Sequence, residues 1–240
     1  MSVDDISSRV NIRRVGSMLD IDLIIFDMDG TLYPYENGVD DLSKTEMFTE
    51  IRRKGVEFVA TKLSVSETNA EEIINHMKIK YGDVTPGLNA EYGINTNEFF
   101  NAAWDVDPSR YVNYDAGLRS FLLSFHQKKA VLTAAPKVWA KRLLQYLNIY
   151  DVFDGIWTRD DKLRKPDMDV YKMLFRHFNT EPNRSMVIDD NVRLLKQPKE
   201  LGICTVLVSK EPSSKKESAD FTVRNVTEIV RIPKLVKLKF

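Results

Sequence analysis

Residues 23–31 read Leu-Ile-Ile-Phe-Asp-Met-Asp-Gly-Thr. Four apolar residues run without alternation, two carboxylates follow one residue apart, and a glycine comes next. A continuous apolar run is expected of a parallel strand covered on both faces rather than of an antiparallel strand with one wet face. Asp27 and Asp29 then stand at the carboxyl end of that strand. Asp29-Gly30 alone could be no more than a turn, with the aspartate capping it. The other reading is a ligand site, because open α/β sheets bind ligands beyond the carboxyl ends of their strands.

The stretches that follow the first strand decide the architecture. Residues 36–107 lose every strand signal and take on helical spacing. Helices are expected over 39–63, over 66–82 with Ser66 as N-cap and Gly82 as stop, and over 96–104, with 83–93 as a loop leading into a short helix. After Pro108 strands and helices alternate. Strands are expected at 130–133, 155–157, 185–188, 204–208 and 220–223. Helices are expected at 116–127, 137–149, 167–178, 193–201 and 226–232. That alternation predicts an α/β fold, a doubly wound parallel sheet, with a small all-helical block inserted after the first strand. The boundaries expected are a polar extension over 1–20, a core over 21–35 and 108–240, and the helical insertion over 36–107.

Composition narrows the function classes. Lys plus Arg and Asp plus Glu number 35 each among 240 residues, so the net charge is zero. A nucleic-acid polymer as partner usually needs a basic excess and is not expected. A single cysteine, Cys204, rules out an internal disulfide and reads as a core residue of the 204–208 strand. The N-terminus lacks the apolar core of a signal peptide, and no stretch approaches the length of a membrane span. A cytoplasmic protein without a membrane partner, monomer or homodimer, is expected. The polar stretch 209–218 reads as a loop and the basic end, 234–240, as a solvated tail.

The other strand ends repeat the pattern of the first. Thr133 follows the second strand, Arg164-Lys165-Pro166 closes the loop after the third, and Asp189-Asp190 follows the fourth. Four converging carboxylates would repel one another and resist ionisation when buried. A hard divalent cation such as Mg2+ resolves that conflict, since it prefers oxygen ligands and sits readily between carboxylates and a phosphate. A lysine and a threonine on the same rim suit the remaining phosphate oxygens.

In this order the residues Asp27-Met28-Asp29-Gly30-Thr31, Thr133, Lys165 and Asp189-Asp190 resemble the four motifs of the haloacid dehalogenase superfamily, over about residues 21–232. The insertion is similar to that superfamily's small helical cap. "FDMDGTLYP", "RKPDMDVYK" and "VIDDN" are most similar to its pyrimidine 5′-nucleotidase-like branch. The resemblance implies a Rossmann-like core and a Mg2+-dependent phosphatase of a small phosphorylated metabolite, plausibly a nucleoside 5′-monophosphate. Asp27 would be the nucleophile that forms an aspartyl-phosphate. Asp29 would be the acid and then the base, its backbone carbonyl also binding the metal with Asp27, Asp189 and Asp190. Thr133 and Lys165 would bind phosphoryl oxygens, with Ala134 in the same substrate site and Lys165 also steadying Asp27. The pattern departs at two places. Ala134 stands where these relatives usually have Asn, and Leu194 replaces the usual Asn after the acidic pair, which makes Asn191 the candidate to support the metal loop. A phosphomutase of the same fold, and a member that binds phospho-ligands without turning them over, are the alternatives.

Other residues are set apart from the chemistry. His76, His126 and His177 fall in expected helices as surface or packing residues. Trp104, Trp139 and Trp157 read as core or hinge residues. Tyr33 and Tyr35, just past the nucleophile loop, are the expected substrate contacts, and Thr31 fastens the turn.

Overall fold

Strand β1, Leu23–Phe26, lies at the centre of a six-stranded sheet with every residue buried. The computed structural model describes residues 21–161, 165, 167–210 and 219–232. The expected extension 1–20, Arg164, Pro166, all of the polar loop but Ser209 and Lys210, and the basic end lie outside the described residues. The other strands are β2 (Lys128–Leu132), β3 (Gly155–Trp157), β4 (Ser185–Asp189), β5 (Cys204–Val208) and β6 (Phe221–Val223). Their order is β3-β2-β1-β4-β5-β6 and every pairing is parallel. The order turns back beside β1, so the crevice between β1 and β4 is the switch point where such sheets hold ligands.

The absence of alternation in β1 has its cause here. Leu23 and Ile25 face one layer, packing with Val170, Tyr171 and Leu174, while Ile24 and Phe26 face the other, which holds Leu118, Leu122 and Trp139. The first layer is built by α7 (Met168–Phe178) and α8 (Val192–Glu200), the second by α5 (Ala116–Leu123) and α6 (Lys137–Tyr146).

Between β1 and β2 come four helices, α1 (Glu46–Leu63), α2 (Glu67–Tyr81), α3 (Val84–Tyr92) and α4 (Thr96–Ala103). Ser66 caps α2 by accepting from the Asn69 amide, and Gly82 ends it at φ +74. The structure corrects three expectations. Residues 83–93 are helix nearly throughout, over 84–92, rather than the expected loop leading into a short helix: Asp83 caps the helix through the Val84 amide, and Pro86 sits in the first turn, where its missing N–H has no helical carbonyl to meet. The helix after Asp115 stops at Leu123, which leaves His126 in the loop before β2. The last helical segment, Val226–Arg231, is 3-10 rather than α. Cys204 is buried in β5, as expected. Among the described residues no helix is long and apolar enough to cross a membrane.

Candidate active site

The register of the sheet builds the site. Phe26 is level with Ile188, and the Asp27 amide donates to the Ile188 carbonyl at 2.9 Å, so the first residue beyond β1 lies beside the last residue of β4, Asp189. The chain then turns at once, with the Leu32 amide reaching back to the Met28 carbonyl at 2.9 Å. Gly30 makes this turn at φ +83. A Cβ there would stand 2.3 Å from Asp190 Oδ2 and 2.5 Å from the Tyr35 ring, so conformation and space both demand glycine.

Lys165 ties the strand ends together. Its Nζ donates to Asp27 Oδ1 and to Asp189 Oδ2, each at 2.6 Å, and all three side chains are buried. Burial alone would pull the ammonium down, but Asp189 and Asp27 outweigh it and hold Lys165 above the ordinary lysine value. The Asp189 carboxylate also accepts from the Asn191 amide at 2.9 Å. The Asn191 side chain caps α8 by accepting from the Arg193 amide.

Asp27, Asp189 and Asp190 each offer a carboxylate oxygen within 4.8 Å of the other two. One lysine faces three carboxylates, and the imbalance is legible at Asp27 and Asp190. Burial, together with Asp189 and Asp190, pushes Asp27 well above the usual carboxylate range despite Lys165. Burial, and then Asp189, pushes Asp190 up to about 7. An all-oxygen donor set with surplus negative charge fits a hard dication such as Mg2+.

The Asp29 carboxylate stands outside that cluster and has its own partners. Its Oδ1 accepts from the Tyr33 hydroxyl and from Trp139 Nε1, the latter at 3.0 Å. Burial raises its pKa, and the bonds from Tyr33 and Trp139, then the charge of Lys165, work against that rise. Its backbone carbonyl accepts from the Tyr35 hydroxyl at 2.9 Å. Thr133, fixed by its amide on the Trp157 carbonyl, accepts on Oγ1 from the Ala135 amide at 3.0 Å. Ala134 is exposed on the same loop.

All the residues marked out by the sequence therefore meet at one rim: Asp27, Asp29, Thr133, Ala134, Lys165, Asp189 and Asp190. Tyr33 departs from its expected part, since it is 5% exposed and turned inward to Asp29. Trp139 was legible only as an apolar position on a helix face. The spacing of Tyr33, four residues past Asp29 in a tight turn, was the one available signal that it folds back.

A family model described as a haloacid dehalogenase-like hydrolase matches residues 21–202. Solved structures share the fold. The HAD phosphatase of Thermococcus onnurineus superposes with a TM-score of 0.63 at 18% identity, covering 88% of this chain and 97% of that one. A Thermotoga maritima protein assigned as a beta-phosphoglucomutase gives 0.55 at 21%, covering 90% and 100%. The L-2-haloacid dehalogenase of Xanthobacter autotrophicus gives 0.54 at 16%, covering 89% and 99%.

Proposed function

The chain belongs to the haloacid dehalogenase-like hydrolases, and from that premise we propose that it is a magnesium-dependent phosphatase of a small phosphomonoester, working through an aspartyl-phosphate on Asp27. The observation that carries the reading is the second carboxylate. Asp29 is buried two residues from Asp27 yet held by its own donors, apart from the cluster of Asp27, Lys165 and Asp189. Displacing a halide needs no acid for its leaving group, whereas displacing an alkoxide from phosphorus does.

Mg2+ would be held by Asp27, Asp189 and Asp190 with the Asp29 backbone carbonyl, and when bound it supplies the positive charge that lets a carboxylate approach a phosphate. The chain's own residues do the rest. Lys165 fixes Asp27 for attack and, with Thr133 and the loop of Ala134, receives the phosphoryl oxygens. Asp29 gives a proton to the departing ester oxygen, then takes one from the water that cleaves the aspartyl-phosphate. The helices within 36–107 act as the cap that closes over the substrate and excludes water from the first step. Nucleoside 5′-monophosphates lead the substrate candidates, because "FDMDGTLYP" and "VIDDN" resemble the pyrimidine 5′-nucleotidase-like branch.

The test is phosphate release from nucleoside monophosphates, sugar phosphates and p-nitrophenyl phosphate, with Mg2+ and with chelator. Turnover is expected only with Mg2+, and Asp27→Asn is expected to lower it by about 10⁴-fold or more. Turnover that persists in Asp27→Asn or in chelator overturns the reading. Turnover of a phosphosugar only with a bisphosphate activator, without phosphate release, replaces it with a mutase.

A further inference from the structure

Asp29 Oδ1 receives two donors from different parts of the chain. Tyr33 comes from the same turn, and its hydroxyl bonds to that oxygen. Trp139 comes from the first turn of α6, behind the loop of Thr133, and its Nε1 lies 3.0 Å away. Both side chains are buried, Trp139 completely. The indole is braced by Trp104, which closes α4, with ring centroids 6.2 Å apart.

An indole N–H can only donate. The oxygen that accepts from it is favoured as the unprotonated one, because a protonated carboxyl oxygen is the poorer acceptor, and the Tyr33 hydroxyl holds the same oxygen in place. The Tyr33 hydroxyl accepts as readily as it donates, so the indole is the bond that decides which oxygen is protonated.

We propose that Tyr33 and Trp139 are positioning residues that lock the Asp29 carboxyl group with Oδ1 as permanent acceptor, so that Oδ2 is the atom that carries and delivers the proton. This rests on the reading of Asp29 as the acid. In the first step the Asp27 carboxylate forms its bond to phosphorus. The P–O ester bond breaks with its electron pair going to the ester oxygen, and the proton on Asp29 Oδ2 moves to that oxygen. In the second step water attacks phosphorus, the bond from phosphorus to the Asp27 oxygen breaks with its electron pair returning to the carboxylate, and a proton of the water goes to Oδ2. A carboxyl group free to rotate would present the wrong oxygen for part of the time, and the loss would fall on esters whose leaving group needs the proton.

The experiment compares kcat/KM for an alkyl phosphate and for p-nitrophenyl phosphate, whose leaving group departs without protonation, in the wild type, Tyr33→Phe and Trp139→Phe. The ratio kcat/KM reports the first chemical step, before the water attack in which Asp29 acts as base. Each variant is expected to lose roughly 10-fold or more on the alkyl phosphate, a part of the 10²–10⁴ a general acid supplies, and less than about 2-fold on the aryl phosphate. Tyr33→Phe keeps the ring and bears the test if Trp139→Phe does not fold. Equal losses on both substrates, or no loss on either, in folded Tyr33→Phe overturn the inference alone. A wild type without Asp27-dependent turnover overturns the phosphatase reading and the inference together.

Discussion

If Asp27, Asp189 and Asp190 hold Mg2+ as proposed, protons compete with the metal for Asp27 and Asp190. Burial and Asp189 raise Asp190 to about 7, and Asp27 is raised as well. A raised carboxyl pKa means that the metal-free fold favours the neutral acid. The stability this contributes is fully present below the unfolded value near 4 and is lost as pH rises through about 7. The metal needs the carboxylates ionised, so the sign for affinity is opposite: binding strengthens as pH rises and weakens below about 7. The affinity for Mg2+ is expected to fall by up to about tenfold per pH unit for each proton displaced, with proton release on binding. Calorimetry at pH 6 and pH 8, in buffers of different ionisation enthalpy, checks it; a constant affinity without proton release contradicts it. The acidic residues themselves were legible in the sequence, because their place at strand ends follows from the local pattern. The partners of Asp29 were not. A tryptophan at an apolar helix position looks the same whether its N–H meets a carboxylate or not, and only the packing of α6 under β1 makes the difference.

At the scale of the element, legibility followed the strength of the local signal. Strands β1 and β5 lie where the apolar runs put them, because a strand covered on both faces needs no partner to be recognised. Helix α3 was hidden by Pro86 and Gly87, two breakers that are harmless where they lie: the proline in the first turn, the glycine against Met77 and Tyr81 of α2. Helix α8 adds a case in which an element's end serves the site. Asn191 caps it by side chain and holds Asp189 by backbone amide. These roles separate on mutation. Asn191→Ala removes the cap and is expected to cost about 1 kcal/mol of stability, as exposed N-caps do. The amide remains, so affinity for Mg2+ is expected to stay within about twofold, since 1.4 kcal/mol would be tenfold. Urea denaturation and Mg2+ titration of the same variant read the two effects. A large loss of affinity with unchanged stability would show the side chain, not the backbone, supporting the metal loop.

At the scale of the whole molecule the question is how the helical insertion is held over the sheet. The apolar contact is continuous: Met47, Ile51, Leu88 and Phe100 of the insertion belong to the same buried cluster as Phe26 and Ile188. A polar tie links the insertion to the loop beside Thr133. Arg159, just beyond β3, is anchored by its amide to the Ala135 carbonyl at 3.0 Å, on the loop that holds Thr133. Its guanidinium pairs with Asp83 at the start of α3 and lies 5.7 Å from the Phe100 ring centroid in α4. Both partners of the ion pair are mostly shielded, with side chains 29% and 20% exposed, unlike Arg53–Glu57 on the surface of α1 at 62% and 59%. A shielded pair that also covers an aromatic ring is worth on the order of 1 kcal/mol, whereas the surface pair is worth a few tenths. Arg159→Ala is therefore expected to speed amide exchange in α3 and α4 by roughly fivefold, the equivalent of about 1 kcal/mol of local opening, without changing exchange in β1 and β4. Arg53→Ala is the control, expected to leave all four elements unchanged. If the insertion closes over the substrate, Arg159→Ala also raises KM several-fold. Exchange in α3 and α4 that stays at the wild-type rate would mean that the apolar cluster alone seats the insertion and that Arg159 serves only the loop beside Thr133.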